Sequence, residues 1–516
     1  MAYLIFNAPY LIVNGEKTKI NVDIVLSADN ERKTTLWYEV SSAYSGYLYI
    51  DRMDPFLVAV LPYCMKNGYD IRFAPNAPGV SADLLYQLTK ILIPSLKSSL
   101  YFSQIVIEAQ PVYKPLKAGW GTATGVSGGV DSFYTILNHM EGLFPLTHLT
   151  LFNLQSFGEY GGAVARKHFC RNVKRAKKIC EDLNQEYETD IQLITVDSNI
   201  QDELPIEIYY AGTYRDAGAI LLLKQLFKLY YFSSTHGIND FSIRYEVRDY
   251  DLWNLSCLST ENCRIQIFGL DAERIDKLKY ISEFPVTYDN LQICLQELLN
   301  GSQGMEYSKQ KNCTCYCDKC VYMVLALKAL GKLDKYETVF DLDLSERKYT
   351  DLLTEVITKK KSYLFKETYN LLRQTGEITE MMEVGIGASI GGYDDVPQDR
   401  DARLAEIFDV FLGKLQDHFS FSDALALRGY RSAAIYGMGR LGKRLYHELE
   451  NLTLYGIDRN PQIICEGMEI KSPTEDLTPV DVIIITTVYD TEAIRSYLKN
   501  RVGADILTLK EILEWN

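Results

Sequence analysis

A glycine turn between an apolar strand and a helix constrains the fold of this chain more than any other feature. Thr122–Val126 has the composition of a buried strand, the turn is Ser127-Gly-Gly-Val-Asp-Ser132, and a helix is predicted to follow directly. Further strand-type runs alternate with helical segments, and they are Leu149–Leu154, Ile191–Val196 and Tyr230–Ser233. Strands spaced by helices indicate a doubly wound parallel sheet, so the predicted fold class is α/β.

The turn at 127–132 has the features of a phosphate-binding loop. It lies where backbone N–H groups and the positive end of a helix dipole can hold an anion. Gly128 and Gly129 allow the backbone to approach phosphate without an intervening Cβ, and Ser127 and Ser132 add hydroxyl donors. The carboxylate of Asp131 is expected to hold Mg²⁺ or to fix the loop. A tight turn without a ligand is the alternative, and the missing Gly-Lys-Ser/Thr ending excludes a Walker A loop.

The length of the chain predicts several domains, because 516 residues are too many for one hydrophobic core. Short β-type runs and one helical stretch predict an N-terminal α+β accessory domain over 1–115. The phosphate-loop domain is predicted over 116–340, a mostly helical region over 341–425, and a small Rossmann-like domain over 426–516. The glycine-rich, acidic segment Gly385–Asp401 is predicted to be an exposed linker.

The last predicted domain carries a second glycine motif. Gly437-Met-Gly-Arg-Leu-Gly442 follows a predicted strand and opens a helix, and Asp458 follows the next strand 16 residues later. Glycines that allow a close approach of pyrophosphate, together with an acid for a ribose hydroxyl, form a Rossmann fingerprint. Either Gly437, Gly439, Gly442 and Asp458 bind a nucleotide, or the module serves as a scaffold or dimerisation unit.

Charge and apolar patterning restrict the partners of the protein. The 54 Lys and Arg residues against 68 Asp and Glu residues give a formal charge of −14, which argues against a broad nucleic-acid-binding surface. No apolar run of 18 residues is present, which predicts that no segment spans a membrane, and the N-terminus lacks the pattern of a signal peptide. We expect a cytoplasmic protein whose 11 cysteines stay reduced.

The hexapeptide at 127–132 resembles the signature of the PP-loop ATP pyrophosphatases. The resemblance covers roughly residues 30–340 and implies cleavage of ATP to AMP and pyrophosphate, with ATP and Mg²⁺ bound at the loop. In that family the strand after the first helix contacts adenine. The implied ATP-binding residues are therefore Ser127, Gly128, Gly129, Val130, Asp131, Ser132, Phe152 and Asn153.

Several later segments are similar to those of 7-cyano-7-deazaguanine synthases that carry an additional N-terminal domain. They are Ser259-Thr-Glu261, Arg274-Ile-Asp-Lys277, and Leu291-Gln-Ile-Cys294 followed by a cysteine cluster. Two arginines expected in that branch are replaced by Gln292 and Gln201. Both replacements leave the identity of the acidic substrate open.

Arg274 and Lys277 are the predicted cations of the site. Their spacing of three places them on one face of a helix, and a departing pyrophosphate requires nearby positive charge. A solvated helix face is the alternative interpretation. With these two residues, Asp131 and Ser127 complete the predicted catalytic set.

The cysteine cluster predicts a structural Zn²⁺ site. Four cysteines fall within eight residues, and they are Cys313, Cys315, Cys317 and Cys320. The two-residue gap of Cys317-Asp-Lys-Cys320 suits one tetrahedral metal ion. The family pattern adds Cys294 and one further thiolate, for which Cys313 is favoured over Cys315 because Asn312-Cys313 resembles the start of the family motif. A closed site of four thiolates leaves no position for water, so Lewis-acid catalysis is not expected.

The resemblance implies an adenylating C–N ligase. The branch activates a carboxylate as an acyl-adenylate, here 7-carboxy-7-deazaguanine or a similar acid, and an amine then displaces AMP. The acceptor is expected to be ammonia, a small amine or a protein amine, in a modification or bacterial defence pathway, and a homodimer is left open. The alternatives are other PP-loop chemistry, namely tRNA thiolation or sugar amidation, and a non-catalytic nucleotide-sensing module.

Overall fold

The structure of the chain is a computed structural model with two compact units, Met1–Ile378 and Thr379–Asn516. The described residues are 2–27, 31–99, 101–154, 162–243, 250–293, 318–347, 349–360, 362, 365–379, 382, 400–449, 452–458, 467–473, 475–487, 491–499 and 501–515. Within these ranges, no helix is long and apolar enough to cross a membrane.

Among its described residues, the first unit has strands up to Phe268 and helices up to Gln374. Its strands are β1 (Tyr3–Phe6), β2 (Tyr10–Asn14), β3 (Lys17–Leu26), β4 (Arg32–Ser41), β5 (Asp70–Phe73), β6 (Val80–Ser81), β7 (Ile107–Glu108), β8 (Pro111–Val112), β9 (Gly121–Gly125), β10 (His148–Asn153), β11 (Gln192–Ser198), β12 (Phe227–Ser233) and β13 (Arg264–Phe268). Its α-helices are α1 (Asp54–Asn67), α2 (Ala82–Tyr86), α3 (Ile93–Ser95), α4 (Val130–Asn138), α5 (Gly162–Tyr187), α6 (Ile200–Glu203), α7 (Ile208–Leu222), α8 (Asp251–Leu258), α9 (Arg274–Ile281), α10 (Val286–Asn290), α11 (Asp318–Ala329), α12 (Leu342–Arg347), α13 (Tyr349–Thr358) and α14 (Lys366–Gln374). A π-helical stretch, Gln87–Leu92, joins α2 to α3, and 3₁₀ turns form at Ser42–Tyr47, Leu96–Ser98, Ile238–Asp240 and Leu333–Tyr336.

One mixed sheet joins eleven of these strands. Their order is β13-β12-β9-β10-β11-β4-β3-β1-β5-β7, and β2 pairs with β3. The five strands from β9 to β13 are parallel to one another, and numbered from β9 they follow the doubly wound order 3-2-1-4-5. Strand β10 is buried along its whole length, as expected for a parallel strand between two helical layers. The predicted α/β class is therefore confirmed.

The sheet continues without a break into the N-terminal segment. Strand β11 pairs antiparallel with β4 through Asp197 opposite Glu39 and Ser198 opposite Tyr38. The side chain of Asn199 extends this contact, because it accepts from the Trp37 N–H at 2.9 Å and donates to the Thr35 carbonyl at 2.8 Å. The segment predicted as an accessory domain over 1–115 thus shares its sheet with the phosphate-loop region.

Helix α1 is buried on nearly its whole surface, with α7 packed closely against it. The approach is closest at Gly218 of α7. A Cβ there would lie 2.7 Å from the Pro55 carbonyl oxygen and 2.8 Å from the Tyr38 hydroxyl. Any larger side chain would therefore force α1 away from the sheet.

A buried ion pair joins the start of α1 to the turn after α7. The ammonium of Lys224 pairs with the carboxylate of Asp54, and their side chains are 1% and 0% exposed. Ser81 completes the cluster. The Lys224 ammonium donates to the Ser81 hydroxyl at 2.9 Å, and the Ser81 backbone N–H donates to the Asp54 carboxylate at 2.9 Å. Charges this deeply buried are tolerated only when each is paired and hydrogen-bonded.

The second unit is a small parallel α/β fold. Its strands are β14 (Ala433–Tyr436), β15 (Thr453–Ile457), β16 (Ile470–Lys471), β17 (Val482–Ile485) and β18 (Asp505–Thr508), and its helices are α15 (Arg400–Gln416), α16 (Phe421–Ala426), α17 (Arg440–Glu448), α18 (Thr491–Lys499) and α19 (Leu509–Leu513). The strand order β16-β15-β14-β17-β18 repeats the order 3-2-1-4-5, with every pair parallel. Alternate residues of β17 pack on opposite faces, Ile484 with Leu445 of α17 and Ile483 with Leu498 of α18. The predicted linker Gly385–Asp401 lies almost entirely outside the described residues.

The buried pair predicts a large stability effect from a single substitution. Lys224→Met should lower the free energy of unfolding by about 3–5 kcal/mol, because it leaves the Asp54 carboxylate buried and unpaired. The matched control is Lys228→Met, which removes an exposed lysine of β12 and should change stability by less than about 0.5 kcal/mol. Urea unfolding followed by tryptophan fluorescence measures both. Equal urea midpoints for the two variants would contradict the stabilising role of the Lys224–Asp54 pair.

Candidate functional site

The glycine loop lies at the point where the strand order of the sheet reverses. Its strand, β9, is central, with β10 on one side and β12 on the other. The carboxyl end of β9 leads directly into 126–129 and then into α4. In doubly wound sheets, ligands bind outside the carboxyl ends of the strands at this reversal point. The fold therefore places the predicted ATP loop where such a sheet has its binding crevice.

Hydrogen bonds within the loop hold its backbone open toward solvent. The Ser132 hydroxyl donates to the Gly125 carbonyl at 2.7 Å and accepts from the Ser127 N–H at 3.2 Å. The Ser127 hydroxyl accepts from the Gly129 N–H at 3.2 Å, and Ser127 itself is exposed. Helix α4 begins at Val130, and the first N–H groups of a helix have no carbonyl partner within it. These donors suit a phosphate.

Gly128 is the position where the loop requires glycine. Its φ is +75°, in the left-handed region, and a Cβ would lie 3.2 Å from both the Asn290 carbonyl oxygen and the Gln292 Cβ. The Gly128 carbonyl accepts from the Gln292 N–H at 2.7 Å. The segment 290–292 therefore fixes the loop through its backbone, and the side chain of Gln292 stands where the resemblance implies an arginine.

Asp131 and the two predicted cations come together in the structure. Asp131 lies in the first turn of α4, and Arg274 and Lys277 lie on one face of α9. Nη2 of Arg274 is 3.4 Å from Oδ2 of Asp131, and Nζ of Lys277 is 3.3 Å from Oδ1. The structure thus brings both cations to Asp131, beside the loop.

Lys277 is the more deeply buried of the two cations. Its side chain is 3% exposed, against 18% for Arg274. Its ammonium also donates to the carbonyl oxygen of Ser234 at 2.8 Å, just beyond β12. An ammonium has three donor hydrogens. Among the described residues, Asp131 and Ser234 accept two of those of Lys277, which leaves the third for a ligand at the loop.

The first turn of α9 is held by a helix that the sequence did not connect with the site. Glu273, the N-cap residue, makes no capping side-chain bond of its own. Instead, Oε2 of Glu367 in α14 accepts from the Ile275 N–H at 2.9 Å. Burial raises the pKa of Glu367 to about 7, with Glu273 adding to the shift and the Ile275 N–H and Arg274 opposing it.

Helix α11 supplies a further contact to the same turn. Arg274 hydrogen-bonds to the hydroxyl of Tyr322, whose pKa is raised by burial. Sequence analysis missed Tyr322, Glu367 and Ser234, because their contacts with α9 span 43 to 92 residues and belong to no local motif.

The predicted adenine-contacting residues lie at the carboxyl end of β10. Phe152 points into the core, where its ring stacks near that of Tyr230 at a centroid distance of 6.4 Å. Asn153 is 8% exposed, and its side-chain amide donates to Oδ1 of Asp197 at 2.7 Å. Desolvation raises the pKa of Asp197. Any contact of Phe152 with a purine therefore has to use its backbone.

Two positions compared with the family in the sequence analysis have other contacts in the structure. Ser259–Glu261 precedes β13 and is thus at the amino edge of the parallel strands, where the Glu261 N–H donates to Asp83 at 2.7 Å. Gln201 accepts from the buried guanidinium of Arg215. An arginine at 201 would face that guanidinium, which gives a physical reason for the glutamine.

The predicted zinc ligands lie mostly outside the described residues. Cys294, Cys313 and Cys317 are not described, nor is Cys315. Cys320 is fully buried in the first turn of α11, and its sulfur is disulfide-bonded. Among the residues that are described, no three His, Cys, Asp or Glu side chains group as metal ligands. The zinc site stays a prediction.

The four residues of the C-terminal glycine motif come together at the carboxyl edge of the second sheet. Gly437 has φ +94°, and a Cβ on Gly442 would overlap the Gly437 carbonyl oxygen. Gly439 is the N-cap of α17 with open space around it. The carboxylate of Asp458 accepts from the Met438 N–H at 2.7 Å. The first and third glycines are thus required by the turn itself.

Comparison with known proteins places this chain in no group: no family model, no curated protein and no solved structure matches it.

The cysteine cluster generates a test that separates a metal site from a disulfide. We expect the purified protein to carry close to one zinc per chain, and Cys320→Ser to lose the metal and aggregate, because structural zinc contributes directly to folding. Cys170→Ser, which removes an exposed free thiol, is the control and should keep its zinc. Elemental analysis measures the bound zinc, and thiol titration counts the reduced cysteines. Folded, zinc-free protein with oxidised cluster cysteines would contradict the prediction.

Proposed function

We propose that this protein is an ATP-dependent ligase that cleaves ATP to AMP and pyrophosphate to form a C–N bond. One observation carries the proposal. The glycine loop, the carboxylate of Asp131 and the cations Arg274 and Lys277 converge at the carboxyl end of β9, where a doubly wound sheet binds its ligand.

The charges in this cluster suit a bound triphosphate. A carboxylate between two cations, with helix N–H groups beside it, gives a site with net positive character. Phosphate oxygens at the loop can take over the pairing with Arg274 and Lys277. The carboxylate of Asp131 is then free to act as an oxygen ligand of Mg²⁺, which prefers carboxylate and phosphate oxygens.

The site favours pyrophosphate as the leaving group. The loop contains no lysine of its own, in contrast to a Walker A loop, whose lysine reaches the β/γ-phosphates. The two cations come instead from α9, a separate helix packed on α4. Placed on the β- and γ-phosphates, they stabilise the charge that develops as the α–β bond breaks and leave the α-phosphorus open to attack.

The proposed reaction has two steps. A carboxylate oxygen of the substrate attacks the α-phosphorus, the bond to the β-phosphate oxygen breaks, and pyrophosphate leaves. An amine nitrogen then attacks the acyl carbon, AMP departs with the bridging oxygen, and the nitrogen loses a proton to solvent. The identity of the acid, 7-carboxy-7-deazaguanine or a similar carboxylate, and of the acceptor, ammonia or another amine, is supported by the sequence resemblance alone.

Removal of the buried cation tests the proposal. Lys277→Met should lower the rate of pyrophosphate–ATP exchange by about 10²–10³-fold, because one preorganised donor to the developing pyrophosphate is lost. Lys279→Met removes an exposed lysine of the same helix and should exchange at the wild-type rate. Exchange is measured with labelled pyrophosphate and a panel of acids led by 7-carboxy-7-deazaguanine.

Two outcomes of this experiment would overturn the proposal. One is full exchange activity in Lys277→Met. The other is tight binding of MgATP by the wild type without exchange or turnover for any acid, which would favour a nucleotide-sensing module.

A further inference from the structure

Helix α9 carries both cations of the site but lacks a cap of its own. It has only eight residues, and its N-cap side chain, Glu273, forms no capping hydrogen bond. A short helix with uncapped N–H groups frays at its first turn. Arg274 is the first residue of that turn, so fraying would move its guanidinium away from Asp131.

Glu367 of α14 supplies the missing acceptor from 92 residues further along the chain. Its Oε2 accepts from the Ile275 N–H, the second N–H of the helix, at 2.9 Å. An acceptor at this position is what an N-cap side chain normally provides. Burial raises the pKa of Glu367, and the neighbouring Glu273 adds to that shift while Arg274 opposes it.

Helix α14 packs against α11. Phe365 and Leu372 are 1% and 0% exposed, and the buried hydroxyl of Thr368 faces the Tyr322 carbonyl at 3.5 Å. Tyr322 in turn hydrogen-bonds to Arg274 through its hydroxyl. Two helices beyond residue 318 thus contact the same turn of α9 from separate side chains.

We propose that Glu367 is a positioning residue that caps α9 and thereby sets Arg274 and Lys277 against the phosphate loop. Residues 318–374 are then a working part of the ATP site and not an appended region. The inference rests on the proposed function for its effect on ATP, but the capping itself is independent of any ligand.

A glutamine at 367 should preserve the arrangement, whereas an alanine should destroy it. Glutamine has the length of glutamate and keeps a side-chain oxygen that accepts from the Ile275 N–H. Alanine removes the acceptor. Aspartate keeps a carboxyl group but is one methylene shorter, so it should not reach the Ile275 N–H. It replaces alanine in the test if the alanine variant fails to fold.

Two measurements test the proposal, and one of them needs no activity. In full-length protein, Glu367→Ala should speed amide hydrogen exchange across 274–277 and raise the dissociation constant for MgATP, each by about 5- to 10-fold, as expected for the loss of one helix cap. Glu367→Gln should stay within about twofold of wild type in both. Glu337→Ala, which removes an exposed carboxylate outside the contact, is the control.

The outcomes separate this inference from the proposed function. The capping role is wrong if amide hydrogen exchange across 274–277 is unchanged in Glu367→Ala and Glu367→Asp. It is also wrong if Glu367→Gln changes hydrogen exchange and MgATP binding as much as Glu367→Ala does. If wild-type protein binds no MgATP while Glu367→Ala speeds amide hydrogen exchange across 274–277, the capping role stands and the proposed function fails.

Discussion

The contact of one carboxylate with two cations is the interaction on which the candidate functional site depends. Asp131 projects from the first turn of α4, and Arg274 and Lys277 reach it from α9 at 3.4 and 3.3 Å. These helices follow β9 and β13, which are separated in the sheet by β12. Lys277 also donates to Ser234, just beyond β12, so the contact lies at the carboxyl ends of the strands next to the point where the strand order reverses. Without it, the glycine loop would be an ordinary turn at a helix N-terminus.

Contacts between parts of the chain far apart in sequence hold the first unit together and fix α9. The N-terminal segment extends the sheet through β4, and the pair Lys224–Asp54 joins α1 to the turn after α7. The helices beyond residue 318 hold α9 through Glu367 and Tyr322. Cys320, the described member of the cysteine cluster, lies in the first turn of α11, the helix that carries Tyr322.

Local features of the site were predictable from the sequence, and distant contacts were not. The strand, glycine turn and helix at 121–138 are encoded within a few residues, and the spacing of Arg274 and Lys277 placed both on one face of α9. The joining of β4 to β11 could not be read from the sequence, because antiparallel pairing across 160 residues leaves no local pattern. Glu367 lies in a helix whose own sequence gives no sign of a site. The resemblance also drew attention to Ser259–Glu261, which lies at the opposite edge of the sheet from the loop.

The identity of the bond that breaks in ATP tests the central claim most directly. ATP labelled at the α-phosphorus, incubated with the protein, Mg²⁺ and a panel of carboxylic acids with ammonia, separates the candidates by the labelled product alone. The arrangement of the loop, Asp131 and the two cations predicts labelled AMP with an equal amount of pyrophosphate, formed only when the correct acid is present. Labelled ADP with inorganic phosphate would contradict it.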